Sequence, residues 1–366
     1  EAVRKVLMSH QLFRIGGELQ EVNNFERELR EKMGVNHCLC LASGTGALIA
    51  SLAALGVGPG DEVIVPGYTF IATVGAIPVV AEINETMTLD MDDVERKITP
   101  NTKCVIPVHI QGFPCDMERL MQLKEKYGFY VVEDACQADG GSFHGKRLGT
   151  IGDCGAYSFN YFKIISAGEG GAMVTNDIDL YQRAIIYHDC GSAFWTYETP
   201  ITAPLYTGTN MRVSEVTGAI LRVQLTRLDG ILADLRRVKR AITEAVADLP
   251  MLRVNPSNDL DGDCGVCLPF IFDDAVTAEK FEKLIGGTRP INTGKHVYRE
   301  WTPILEKRGA HISAMNPYEN PANAGLRLDT REHSCPRTLD ILSRTVYQML
   351  KHLYGPEYGI RITSFE

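Results

Sequence analysis

The sequence predicts an α/β fold: a mostly parallel sheet covered by helices, followed by a smaller C-terminal α/β unit. Two observations predict it. From His37 onward, apolar runs of strand length alternate with segments of helical period, the pattern of a parallel sheet covered on both faces. The 366 residues also exceed what one hydrophobic core usually serves, and a 45% hydrophobic composition supplies apolar material for more than one.

Taken in order, Glu1 to Gly34 is charged and helix-patterned, with Val22, Phe25, Leu29 and Met33 at helical spacing. Opening on Glu1 rather than methionine, it reads as a trimmed start. His37 to Ala42 is a short strand, Ser43-Gly-Thr-Gly46 a turn, and Ala47 to Leu55 a helix closed by Gly56 and Gly58-Pro59-Gly60. Strands follow at Glu62 to Val65, Val79 to Ile83, Cys104 to Val108 and Phe129 to Glu133, with helices such as Met117 to Tyr127 between them. Gly155 to Phe159 and Gly171 to Thr175 are strands flanking a loop, and Ser214 opens a long helix running to about Leu249. A change of texture at Leu249-Pro250 divides a large domain, 1–249, from a small one, 250–366. There is no internal repeat, low-complexity tract or obvious linker.

Composition excludes several function classes. Net charge is −9, from 37 basic and 46 acidic residues with no basic block, so no nucleic-acid footprint is visible and small-molecule chemistry is expected. Ten cysteines sit in apolar segments rather than at framework spacings, which suits reduced thiols in the cytoplasm. Cys264 and Cys267 form a C-x-x-C, but Cys264 to Phe272 reads as a strand and no second ligand pair accompanies it, so no metal site is expected. No signal peptide and no run of about 18 apolar residues is present, so a soluble chain without a membrane span is expected.

The candidate chemistry centres on Tyr157 to Gly171, where Lys163 lies between an apolar run and a glycine-rich turn. An ammonium among Phe159, Tyr161, Phe162, Ile164 and Ile165 is disfavoured in its charged form, which makes Lys163 a candidate amine nucleophile; a surface lysine snorkelling from an apolar segment is the alternative. Ser43-Gly44-Thr45 stands between a strand and a helix N-terminus, where unpaired N–H groups and the helix dipole favour an anion. Asp134 ends a strand at the edge where a parallel sheet presents ligands, and Gln137 follows it by three. Ser158 enters the Lys163 loop. Pyridoxal phosphate needs these parts: a lysine for a Schiff base, a carboxylate on the pyridine nitrogen, an anion site, and a ring-stacking aromatic, for which Phe70 is placed.

Their order resembles that of the DegT-type (DegT/StrS) sugar aminotransferases, which belong to the fold type I, aspartate-aminotransferase-like pyridoxal phosphate enzymes. The resemblance spans roughly His37 to Leu228. It rests on Ser-Gly-Thr-Gly-Ala-Leu, on Gly60-Asp-Glu-Val-Ile-Val-Pro-Gly-Tyr-Thr-Phe-Ile-Ala-Thr73, on Val131-Val-Glu-Asp-Ala-Cys-Gln-Ala138, on the Ser158 to Lys163 spacing with Gly168-Glu-Gly-Gly, and on Gly208-Thr-Asn-Met-Arg-Val-Ser-Glu215. It implies that Lys163 forms the Schiff base, Asp134 pairs with the pyridine nitrogen, Gln137 bonds the ring hydroxyl and Phe70 stacks on the ring. Gly44, Thr45 and Ser158 would hold the phosphate, with Asn210 reaching across from the neighbouring subunit of a homodimer. The implied reaction moves an amino group from glutamate or glutamine to a sugar-like carbonyl acceptor, a keto or aldehyde sugar or cyclitol, in amino-sugar, surface-polysaccharide or antibiotic biosynthesis. A dehydratase, lyase or aromatic-forming synthase on the same fold, or a non-catalytic cofactor-binding regulator, are the alternatives. Family dehydratases carry histidine where this chain has Lys163, which favours transamination.

The chain departs from the family pattern in three places. Thr73 to Val79 is too short for the usual helix, Leu342-Ser-Arg-Thr-Val replaces a proline-containing strand, and the tail from Tyr347 to Glu366 is unlike the common end. For substrate, Arg344 is a candidate clamp for the donor carboxylate, or else an arginine on the solvent face of a helix suggested by Leu339, Leu342, Val346 and Leu350. Arg212, beside Asn210, and Arg299 compete for the clamp, and the stretch containing His296, Tyr298 and Arg299 is placed to meet the acceptor.

Overall fold

The computed structural model describes residues 1–73, 77–191 and 200–350. Two helices, α1 (Ala2–Ser9) and α2 (Glu21–Met33), precede the first strand, β1 (His37–Leu41). Then come α3 (Gly44–Ala54), β2 (Glu62–Pro66), β3 (Ile77–Ala81), α4 (Met91–Lys97), β4 (Thr102–Val105), α5 (Met117–Tyr127) and β5 (Tyr130–Asp134). A small hairpin of β6 (Ser142–Phe143) and β7 (Lys146–Arg147) leads to β8 (Cys154–Ser158), β9 (Gly171–Thr175), α6 (Ile178–His188) and the long α7 (Glu215–Ala245). The C-terminal part holds β10 (Arg253–Val254), β11 (Cys267–Ile271), α8 (Ala275–Ile285), α9 (Thr302–Leu305), α10 (Pro336–Ser343) and β12 (Thr345–Met349).

The main sheet is seven-stranded in the order β1-β9-β8-β5-β4-β2-β3. β9 runs antiparallel to both neighbours, and every other pairing is parallel. The alternation of strand side chains builds the layers. Cys38, Cys40 and Val131 point into one core with Phe25 of α2, Leu120 of α5 and Leu225 of α7. Leu39, Leu41 and Val132 point into the other with Leu48 of α3 and Ile185 of α6. Every residue of β2, β3, β8 and β9 is buried, as strands covered on both faces require.

The N-terminal arm is pinned by a buried ion pair. Arg14, 2% exposed, donates to both Glu26 oxygens at 2.9 and 3.1 Å, and Glu26 also accepts the Cys40 amide of β1 at 2.6 Å. His188 lies beside Arg14, and burial followed by the Arg14 charge lowers its pKa to about 3, so it stays neutral there. α2 in turn is capped by Glu215 of α7, which accepts the Glu21 and Val22 amides at 2.5 and 3.2 Å.

In the C-terminal part, β10, β11 and β12 form an antiparallel sheet, with Phe281 of α8 packed on Phe270 and Phe272. The helix expected through Leu339, Leu342, Val346 and Leu350 is corrected: α10 stops at Ser343, and Thr345 to Met349 is a strand paired with β11. Apolar residues three or four apart hid the break, and the β-branched Thr345 and Val346 find their partners only across the sheet. The connection from β2 to β3 is short, as expected. Among the described residues of this connection, 67–73, there is one 3₁₀ turn, Ile71–Thr73, where parallel strands ordinarily need a longer crossover. Residues 74–76 and the tail from 351 lie outside the described residues.

Removing the Glu26 carboxylate leaves Arg14 charged and buried without its partner. Glu26→Ala is therefore expected to lower unfolding free energy by about 3–5 kcal/mol, read by urea denaturation; an unchanged midpoint would show that the pair does not anchor the arm.

Candidate active site

Because β9 is antiparallel on both sides, β1, β5 and β8 all end at one edge of the sheet. β1 runs into Ser43, the N-cap of α3, whose Oγ accepts the Gly46 amide at 3.0 Å. That leaves the Gly44 and Thr45 N–H groups without acceptors inside the helix. β5 ends at Asp134 and β8 at Ser158. Two glycines let these ends meet. A Cβ on Gly44 would lie 2.6 Å from Ser158 Cβ and 2.8 Å from Cys136 Sγ, and one on Gly171 would lie 2.3 Å from the Ser43 carbonyl carbon.

A cavity of about 600 Å³ opens at this edge, lined by Gly44, Thr45, Asp134, Gln137, Ser158 and Lys163 among others. The Lys163 loop closes on itself: Phe159 N–H donates to Gly170 O at 2.8 Å, Tyr161 N–H to Gly168 O at 3.0 Å and Lys163 N–H to Asn160 O at 2.9 Å. Among the described residues no carboxylate pairs with the Lys163 ammonium. Asp134 is buried, with one oxygen accepting the Thr73 hydroxyl at 2.7 Å and the other the Cys136 amide at 3.1 Å. Thr73 Oγ1 in turn lies 2.9 Å from Thr69 Oγ1. Gln137 Oε1 accepts the Gln111 amide at 3.0 Å, which leaves the Gln137 NH₂ as the group free to donate elsewhere.

The opposite wall comes from the C-terminal part. Tyr68 bridges Val297, Thr69 N–H donates to His296 O at 2.9 Å, and Tyr298 N–H donates to Gly67 O at 3.0 Å. This docks His296 and Lys295 beside Phe70: the two rings are 5.6 Å apart, and Lys295 Nζ lies 4.8 Å from the Phe70 centroid. Burial lowers the His296 pKa, against a bond to Thr293 that raises it and with the Lys163 and Lys295 charges adding to the fall, so its imidazole is neutral near pH 7. Burial first, then the Asp134 charge, push the Cys136 thiol well up; it stays protonated and is no nucleophile, although it lines the cavity.

The structure brings together Gly44, Thr45, Phe70, Asp134, Gln137, Ser158, Lys163 and His296 on one cavity. It does not bring the three arginines there. Arg344, the expected carboxylate clamp, caps α10 and bonds Asp340 at 2.8 Å, Glu85 at 3.1 Å and the Phe272 carbonyl at 3.0 Å. Two carboxylates and a carbonyl occupy its guanidinium, so that expectation is corrected. Arg212 pairs with Asp189 and lies 5.5 Å from the Phe13 ring centroid, and Arg299 pairs with Glu300 at 3.1 Å. Tyr298 is buried, its hydroxyl donating to Glu332 O at 2.7 Å, and is not among the cavity residues. Asn210 is exposed away from the cavity, its side-chain oxygen accepting the Arg212 amide at 3.1 Å. Sequence reasoning missed Thr73, Lys295 and Tyr347 as lining residues. Only Thr73, inside the Thr-Phe-Ile-Ala-Thr motif, carried a signal that could have found it.

The Gly44 approach is testable without any ligand. Gly44→Ala should destabilise the fold by about 1–3 kcal/mol in urea unfolding, since Ser158 and Cys136 must shift. Gly58→Ala, with no atom within 4 Å of the added carbon, is expected to leave the midpoint unchanged; equal midpoints for both would refute the close approach.

Comparison with known proteins gives the chain a family and a fold. The family model described as DegT/DnrJ/EryC1/StrS aminotransferase family matches residues 1–307. The chain is 38% identical over 238 residues to 3-amino-5-hydroxybenzoate synthase of Amycolatopsis mediterranei, covering 62% of this chain and 59% of the relative. It is 38% identical over 259 residues to dTDP-3-amino-3,4,6-trideoxy-alpha-D-glucose transaminase of Micromonospora megalomicea, covering 68% and 66%. These matches span less than two thirds of each relative's length. The crystal structure of S. venezuelae DesV in complex with a ketimine intermediate superposes with a TM-score of 0.74 at 30% identity, over 95% of this chain and 87% of that one. The fold is that of the fold type I aminotransferases, and the chain belongs to the DegT/DnrJ/EryC1/StrS aminotransferase family.

Proposed function

We propose that this chain is a pyridoxal-phosphate-dependent aminotransferase that moves an amino group from glutamate or glutamine to a keto or aldehyde sugar or related cyclitol. The observation that carries this reading is the unpaired Lys163 on the same cavity as a buried, doubly oriented Asp134 and the first turn of α3. The residues fit the cofactor: the Gly44 cradle is one that any Cβ would fill, and Asp134 has both oxygens fixed.

When bound, pyridoxal phosphate supplies an electron sink for the charge left at an amino acid's α-carbon. The Gly44 and Thr45 N–H groups and the Ser158 hydroxyl would hold its phosphate, aided by the α3 dipole. Asp134 would keep a proton on the ring nitrogen, Gln137 would donate to the ring hydroxyl and Phe70 would lie against the ring. Lys163 Nζ would be the amine that meets the cofactor's aldehyde carbon, and with a donor present it would take a proton from the donor's α-carbon as base and return one as acid. The two named relatives differ in product, an aminobenzoate in one and an amino sugar in the other.

We place the division between the large and small domains near Leu249-Pro250, supported by the end of α7 at Ala245 and the start of β10 at Arg253. A cytoplasmic location is supported by ten free cysteines. Among the described residues, no helix is long and apolar enough to cross a membrane. A homodimer is supported by Tyr161 and Phe162, 76% and 65% exposed beside Lys163, a patch that a second subunit would cover. Asn210 lies off its own chain's cavity and completes the phosphate site of the partner.

Borohydride reduction of the loaded protein is expected to fix a pyridoxyl group on Lys163, located by peptide mapping; an adduct elsewhere, or none, refutes the reading. Glutamate or glutamine should convert the cofactor to its amine form, seen in its absorbance, with release of the oxo acid. Elimination without that conversion would indicate a dehydratase or lyase instead, and no turnover with any donor a ligand-sensing regulator. For the dimer, Lys163→Ala and Asn210→Ala subunits, each inactive alone, should regain activity when mixed, because one hybrid site carries both residues. Heterodimers that form but stay inactive would remove Asn210 from the shared site.

A further inference from the structure

With the three arginines committed elsewhere, the cavity needs another group to receive the anionic part of a substrate. The side chains lining it include two lysines, Lys163 and Lys295. Lys163 is assigned to the carbonyl chemistry. Lys295 is exposed at the cavity, and among the described residues its ammonium has no carboxylate partner; its Nζ lies 4.8 Å from the Phe70 ring centroid. Its backbone is held in place. Trp301 Nε1, on a fully buried indole, donates to Lys295 O at 3.0 Å, and the adjoining His296 and Val297 are bonded to Thr69 and bridged to Tyr68. The neighbouring His296 is neutral, so it neither competes for an anion as a cation nor repels one.

An ammonium over an aromatic face is weakly held compared with one bonded to a carboxylate or phosphate, so an arriving anion takes Lys295 without breaking an ion pair. Resting on the aminotransferase reading, we infer that Lys295 is the residue that binds a substrate's anionic group, with its ammonium swinging between the Phe70 face and that group. Two sources share this chemistry: the carboxylate of the amino donor, and the diphosphate of a nucleotide-linked acceptor. Phe70 and Lys295 line the same cavity as Lys163, so an anion held there seats the rest of the substrate in that cavity.

The test uses the full chain loaded with cofactor, as wild type, Lys295→Ala and Lys295→Arg, with 2-oxoglutarate and uridine diphosphate as separate probes in titration calorimetry. Lys295→Ala should weaken binding of one probe about tenfold or more and Lys295→Arg should restore it, with the cofactor absorbance of all three proteins alike. Selective loss of 2-oxoglutarate assigns the site to the donor carboxylate, and selective loss of uridine diphosphate assigns it to the acceptor. The donor arm also predicts a raised KM for glutamate or glutamine with kcat nearly unchanged. Equal affinities in wild type and Lys295→Ala for both probes, or a wild type that binds neither, overturn the inference. A wild type that binds a probe through Lys295 yet transfers no amino group would leave the anion site standing and refute the aminotransferase reading.

Discussion

The approach of Gly171 to the backbone of Ser43 and Gly44 is the contact on which the rest of the site depends. β9 enters the sheet between β1 and β8 in the reverse direction, and its first residue must pass the turn where β1 becomes α3. Only a residue without a side chain fits there. The Lys163 loop is the connection that this reversal creates, so the lysine, the helix N-terminus and Ser158 share one edge because one strand runs the opposite way. A side chain at position 171 would push apart the two segments that line the anion end of the cavity.

The second wall is built by a different force. Residues 294–301 belong to the C-terminal part, yet their backbone bonds reach Gly67 and Thr69, next to Phe70. Buried backbone groups must be paired, and here the partners come from far along the chain. The consequence is that Phe70 and His296 sit ring against ring, and what faces the cofactor is set by both parts of the molecule. The same segment buries Val297, Tyr298 and Trp301 in the core, which holds this wall against the sheet.

Charge in the cavity is apportioned by partners. Asp134 has a hydroxyl and an amide on its oxygens, Glu169 accepts from Asn160 at 2.9 Å, and the Cys136 thiol and His296 imidazole are neutral. Asp134 and Glu169 keep their negative charge under these neutral donors, and among the described residues no carboxylate pairs with Lys163 or Lys295, which suits a site that receives anions.

The sequence by itself determined the strand and helix alternation, and with it which residues lie at strand ends: Asp134, Ser158 and the Ser43 turn stood where a parallel sheet places ligands, because periodicity and turn chemistry are local. Phe70 and Lys163 were legible for the same reason, each inside a short motif. The tertiary structure alone decided which charges reach the cavity. Arg344, Arg212 and Arg299 look alike in sequence, and each is claimed by a carboxylate, two of them by groups distant in the chain: Glu85 for Arg344 and Asp189 for Arg212. The break at Ser343 was likewise invisible, since Thr345 and Val346 become a strand only because β11 offers its edge. Lys295 carried no motif, and its place beside Phe70 follows from long-range backbone pairing that no local pattern encodes.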